Sequence, residues 1–239
     1  MRVAICFTGQ CRSLENTHES IKKYLIEPLS ETCERVDIFA FIDENKHTHK
    51  FLEYIKPTQI VIQRDEHIDD TFVRRHSQKN LQQYIQMLNG YKQVNELRKS
   101  YEKKENISYD CVVRCRLDIE LIRKIPDILS MDMSKVYLPD FHSWSHVTEH
   151  SVGFNDRFAF SSPENMDVYF SQIDNARQFC EEGGNLHAET FLAHNLLNSS
   201  VEVEKINFRF VRIREHNIRV ESDTNIVSTS PEDWQWWYH

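Results

Sequence analysis

Apolar and polar positions along this chain switch repeatedly between a strand period and a helix period. Residues 2–7 form a short apolar run without alternation, the pattern of a parallel strand buried on both faces. The turn Thr8-Gly9-Gln10-Cys11-Arg12 follows. Residues 15–29 place Ile21, Tyr24, Leu25 and Leu29 at helical spacing, and Pro28 near the end marks where that helix should stop. Val36–Ile42 reads as a second strand, 47–55 as a short helix and Gln59–Gln63 as a third strand. From 77 to 104 a long helical pattern runs through Leu81, Tyr84, Ile85, Leu88, Tyr91, Val94, Leu97 and Tyr101, with Gly90 as a point where it could split or bend.

Residues 110–120, Asp-Cys-Val-Val-Arg-Cys-Arg-Leu-Asp-Ile-Glu, return to the strand period. One face carries Val113, Cys115, Leu117 and Ile119. The other carries Arg114, Arg116, Asp118 and Glu120. An unpaired buried charge costs several kcal/mol, so the charged face should not lie under a helix. It should line water or a polar ligand, or form an exposed edge whose charges pair with one another.

Alternation of strands and helices predicts an α/β fold with a mainly parallel central sheet, helices on its faces and right-handed crossovers. Ligands in such sheets bind beyond the carboxyl ends of the strands, where Thr8–Arg12, Asp43 and Asp118–Glu120 all fall. The second half is less regular. Lys135–Leu138 and Gly153–Phe160 read as strands, the latter carrying Asn155-Asp156-Arg157. Ser162 caps a helix that opens with Pro163 and runs to about Cys180. Gly183-Gly184 breaks it, His187–Leu197 is helical, and Val201–Arg214 holds one or two strands. The end, Trp234–His239, is strongly aromatic. With no repeat and no linker, the expectation is one domain over 1–239.

A net charge of -8 argues against a nucleic-acid surface, though not against a local basic pocket. The six cysteines contain no C-x-x-C pair, and three fall in apolar strand patterns, so they read as reduced core residues of a cytoplasmic protein. No apolar run approaches the ~18 residues of a membrane span, and the first residues read as a strand rather than a leader.

Neither G-x-G-x-x-G nor a G-K-[ST] phosphate loop is present, which weighs against dinucleotide dehydrogenases and phosphate-loop kinases. In the Thr8–Arg12 turn, Gly9 permits close approach of a ligand, and Gln10 and Arg12 offer donors. Arg114 and Arg116 suit phosphate oxygens. Asp118 and Glu120, two apart, could share Mg²⁺ or Mn²⁺. Arg212, Arg214 and His216 share a face of a late strand and could reach a diphosphate or its metal, or stand as exposed strand charges. His142, His146 and His150 have helical zinc spacing, but the residues between them favour a loop, in which Trp144 could stack on a sugar.

Phe-Thr-Gly-Gln-Cys-Arg at the end of the first strand, Val-Asp-Ile-Phe-Ala-Phe at 36–41, Val-Val-Arg-Cys-Arg-Leu-Asp at 112–118 and Asn-Asp-Arg-Phe-Ala-Phe at 155–160 resemble, as a set, GT-A-like nucleotide-sugar glycosyltransferases. These enzymes occur in large DNA viruses and in bacterial surface-polysaccharide clusters (the WavE-like proteins). The likeness covers most of residues 1–216 and implies a nucleotide-binding half over 1–125 and an acceptor half, with the aromatic tail, over 126–239. It implies a UDP- or GDP-linked sugar donor, a glycan acceptor, a divalent metal and a cytoplasmic setting, that of the host for a viral protein. It implies further that Arg116-Leu-Asp118 stands where other GT-A enzymes carry Asp-x-Asp, with Arg at the first position here. It makes Glu189, in the first turn of a helix after Gly183-Gly184, the expected catalytic base, with Asp156 as its competitor, and places His187 and Asn155 at the sugars. A sugar nucleotidyltransferase and a non-catalytic binding module are the alternatives.

Overall fold

The computed structural model describes residues 1–64, 67–73, 81–143 and 152–229. Trp144, His146, His150 and the aromatic end therefore lie outside the described residues. The described residues form two sheets. Strands β1 (Arg2–Gly9), β2 (Arg35–Asp43), β3 (Gln59–Gln63) and β4 (Cys111–Arg116) join β6 (Val136–Pro139), β7 (Phe158–Ser161) and β8 (Val203–Ile206) in the order β3-β2-β1-β4-β7-β6-β8. A short strand β5 (Ile119–Leu121) pairs instead with β9 (Phe210–Arg214), which also pairs with β10 (Ile218–Arg219). In the large sheet β7 alone runs antiparallel to its neighbours. The expected mostly parallel sheet flanked by helices is thus present.

Helices α1 (Leu14–Ile21), α2 (Glu27–Thr32) and α3 (Thr48–Tyr54) belong to one face. Helices α4 (Leu81–Glu105), α5 (Pro163–Phe170), α6 (Gln172–Glu181) and α7 (Ala188–Asn198) cover the other. The last helix, α8 (Glu221–Thr229), follows β10. Each face has its own core because strand side chains alternate. From β1, Val3, Ile5 and Phe7 enter the α1–α3 core, while Ala4 and Cys6 enter the α4–α7 core. The six cysteines are free, and five of them are buried. Burial pushes the thiols of Cys6, Cys11 and Cys115 up to about 12, so they stay protonated as small core residues. Among the described residues no helix is long and apolar enough to cross a membrane.

Several local expectations change. Pro28 does not end its helix: Lys22–Ile26 form a π-helical stretch, and Pro28 sits in the first turn of α2, where a missing N–H costs least. Gly90 leaves α4 unbroken. The single helix expected from Ser162 is two, α5 and α6, parted at Ser171; the Ser162 cap itself is made, its hydroxyl accepting from the Asn165 N–H. Asn155-Asp156-Arg157 precede β7 as loop, because the Asn155 side chain bonds the Phe141 carbonyl and the Arg157 N–H and so stands in for strand pairing. Residues 110–120 are not one strand. The chain turns at Leu117-Asp118 and leaves the large sheet for the small one.

The face of β4 that holds Val112, Arg114 and Arg116 looks toward α4. Contrary to the expectation from charge, Arg114 does lie under that helix, and it is 1 % exposed. Its guanidinium sits 4.8 Å from the Tyr91 ring centroid and donates from Nη2 to the Tyr91 hydroxyl at 2.5 Å. The aromatic face and the hydroxyl offset part of the desolvation that was expected to forbid the arrangement.

Candidate functional site

Strand order reverses direction at β1. The chain goes from β1 outward to β2 and β3, then crosses back to place β4 on the other side of β1. The two loops that leave β1 and β4 therefore diverge, and a crevice opens between them. Thr8 and Arg116 are opposite one another in register at its floor. Here lies a cavity of about 720 Å³, in the size range of small-ligand sites.

Its walls come from distant parts of the chain. Thr8, Gly9, Gln10 and Arg12 leave β1, with Gly9 at φ +100°, a conformation side chains other than glycine adopt only with strain. Phe41 and Asp43 end β2. Gln83, Tyr84, Gln86, Met87 and Gly90 form the α4 wall. Arg116, Leu117 and Asp118 end β4. Asp156 and Arg157 come from the loop before β7, His187 and Glu189 from the start of α7, and Arg212 and Arg214 from β9. Among the described residues, six arginines (Arg12, Arg114, Arg116, Arg157, Arg212, Arg214) face four carboxylates (Asp43, Asp118, Asp156, Glu189), an excess of two positive charges inside a protein of net charge -8. Such a local reversal of sign favours an anionic ligand.

One group centres on Asp118. Arg116 grips it in bidentate fashion, Nε to Oδ1 at 2.7 Å and Nη2 to Oδ2 at 2.8 Å, and Arg214 Nη1 donates to Oδ2 at 2.9 Å. Burial pushes this carboxyl up, but Arg116, Arg214 and Arg12 outweigh it and hold Asp118 well below the usual carboxylate range. Arg212 is fixed from behind. Asp223 of α8, fully buried, accepts from Arg212 Nε at 2.8 Å and Nη2 at 2.7 Å and from His142 Nε2 at 2.6 Å.

A second group centres on Glu189. Arg157 Nη2 donates to its Oε1 at 3.0 Å, and His187 Nε2 is 3.2 Å from Oε2. Its pKa is raised, first by burial and then by the negative charge of Asp156. Asp156 moves the other way: burial raises it, but Arg157, Arg116, Arg114 and Arg212 pull it below its ordinary value. The backbone carbonyl of Asp156 accepts from the Tyr169 hydroxyl at 3.1 Å, which anchors the loop. Two carboxylates driven apart in this way can divide proton-accepting and charge-holding roles.

Most residues singled out in the sequence meet here: Thr8, Gly9, Gln10, Arg12, Arg114, Arg116, Asp118, Asp156, His187 and Glu189 all line the cavity. Asn155 does not, being fully buried as the brace of its loop. His142 is buried against Asp223, and His216 lies on an exposed turn. Trp144 is outside the described residues. Glu120 points elsewhere, paired with Arg219. Sequence reasoning gave no role to Arg157, to Tyr91 or to the α4 wall. Arg157 adjoins Asp156 in the sequence, and the spacing of Tyr91 marks it only as a helix-core position.

The family model described as "Domain of unknown function (DUF7796)" matches residues 1–227. The chain belongs to this family. No curated protein matches the chain. The matched span contains every residue of the cavity wall.

The expected metal pair fits this geometry poorly. Both oxygens of Asp118 are taken by guanidinium groups, and Glu120 is turned into another ion pair. Among the described residues no group of three or more His, Cys, Asp or Glu side chains could hold a metal ion.

Proposed function

We propose that this protein is a glycosyltransferase that moves a sugar from a nucleotide-diphosphate donor to a hydroxyl of a glycan or similar acceptor. The observation that carries the reading is the arginine-rich cavity at the topological switch point, where Arg116 ends β4 opposite Thr8 of β1. A nucleoside bound along the β1 loop and α4 would direct its diphosphate toward Arg116 and Arg214. Charge that develops on the departing diphosphate would then meet fixed cations, the largest electrostatic contribution the site can make to the rate.

The sugar would extend toward Asp156, His187 and Glu189. Glu189, with its raised pKa, suits the removal of a proton from the acceptor oxygen as that oxygen attacks the anomeric carbon. Arg157 orients it, and Asp156 stays ionised among the arginines. The test is release of nucleoside diphosphate from a panel of UDP- and GDP-linked sugars, followed by chromatography. Wild-type protein should release it with at least one donor. Glu189→Gln should slow transfer to acceptor by about 10²–10⁴-fold. Absence of release with every donor would remove the assignment.

A further inference from the structure

We propose, resting on that reading, that the diphosphate is held by guanidinium groups alone, and that Asp118 is the positioning residue for Arg116 and Arg214 rather than a ligand to a metal ion. A carboxylate that serves a divalent cation must turn a free lone pair toward it. Asp118 is already committed to guanidinium groups: three N–H···O bonds of 2.7–2.9 Å, one to Oδ1 and two to Oδ2, fill three of its roughly four acceptor sites. What the arrangement does present is the two arginines themselves, 23 % and 38 % exposed, both lining the cavity while they share one carboxylate.

The cations crowd one another. Burial acts most strongly against protonation of Arg214; Asp118 opposes it, and the like charges of Arg116, Arg212 and Arg12 add to it. A bound dianion would relieve that repulsion. Deeper in the wall, Arg114 is buried, and among the described residues its Nε and Nη1 have no hydrogen-bond partner, which leaves cationic N–H groups behind the proposed phosphate position. Arginine is suited to this work because its planar fork meets two phosphate oxygens at once and carries its charge at every accessible pH. One carboxylate therefore organises a cage in which guanidinium charge does what a divalent ion would otherwise do.

The probe is inorganic pyrophosphate, titrated calorimetrically into the intact protein in EDTA and again in Mn²⁺ with free pyrophosphate held constant. The expected result is saturable binding in EDTA that Mn²⁺ changes by less than about tenfold. Arg214→Gln, at a partly exposed position, should weaken it by about tenfold or more in both conditions, as should Arg12→Gln. Asp118→Asn should weaken binding by the same factor with and without Mn²⁺, whereas a metal ligand would lose only the Mn²⁺-dependent part. Binding that needs Mn²⁺, tightens tenfold or more with it, or is missing in both conditions overturns the proposal. UDP and GDP in parallel separate this from the wider reading. Nucleotides that bind only with Mn²⁺ leave the glycosyltransferase standing and the cage refuted. Pyrophosphate binding without nucleotide binding does the reverse.

Discussion

Glu189 and Asp156 line one cavity, and their surroundings push the two carboxyls in opposite directions. The pKa of Glu189 is raised by burial and by Asp156, so its acid limb in a pH–rate profile should lie above the ordinary glutamate value of about 4.3. Asp156→Asn removes the second cause, and the limb should move to lower pH in a profile of kcat/KM. An unmoved limb would mean that Glu189 is not the titrating base. Asp223 illustrates the opposite sign. Burial raises it, but hydrogen bonds from Arg212 and His142 hold it far below the usual range. A depressed carboxyl contributes stability above its unfolded pKa of about 3.9 and loses it as pH falls toward the folded value. Asp223→Asn should therefore cost about 3–5 kcal/mol at neutral pH by urea denaturation, a difference that shrinks below about pH 4. At this scale the sequence was informative about residue type and weak about partners. Arg114, Arg116 and Asp118 could be picked out by alternation, but the Asp118–Arg214 bond joins residues far apart in the chain and has no local signature.

At the level of elements, the same substitution should act with opposite sign at two glycines. In α4, a Cβ on Gly90 would meet Thr8 Cβ at 3.6 Å and Phe41 Cδ1 at 3.8 Å, ordinary contacts. Gly90→Ala should stabilise the protein by up to about 1 kcal/mol through helix propensity, seen as a higher Tm. A Cβ on Gly184 would lie 2.5–2.6 Å from the ring of Phe179, which packs on Phe191 and His194 of α7. Gly184→Ala should cost about 1–3 kcal/mol and disturb the first turn of α7 that carries Glu189, lowering both the urea midpoint and activity. The strongly periodic elements were legible: β1 to β4 and α4 fall close to where the apolar pattern puts them. The elements missed are those defined by pairing rather than by period. Strand β5 is short and exists because β9 meets it, and α8, whose buried Asp223 holds Arg212, has a mostly polar sequence.

Across the whole molecule, the crossover at β1 gathers the cavity. Residues 8 and 116 become neighbours through parallel pairing, and β9 returns more than ninety residues later to close Arg214 on Asp118. The order of strands and helices was enough to place a site at the carboxyl edge. It was not enough to show that Glu120 would leave with β5, since that depends on a turn at Leu117-Asp118 which an unbroken alternation of side chains conceals. The local excess of positive charge in an acidic protein also predicts an affinity for polyanionic ligands that weakens as salt rises, measurable by repeating a pyrophosphate titration at increasing ionic strength. The most direct test of the account is a crystal structure of the protein grown with UDP or GDP. The diphosphate should lie at the carboxyl ends of β1 and β4, within hydrogen-bond reach of Arg116 and Arg214. A nucleotide bound elsewhere, or no nucleotide in the cavity at saturating concentration, would contradict it.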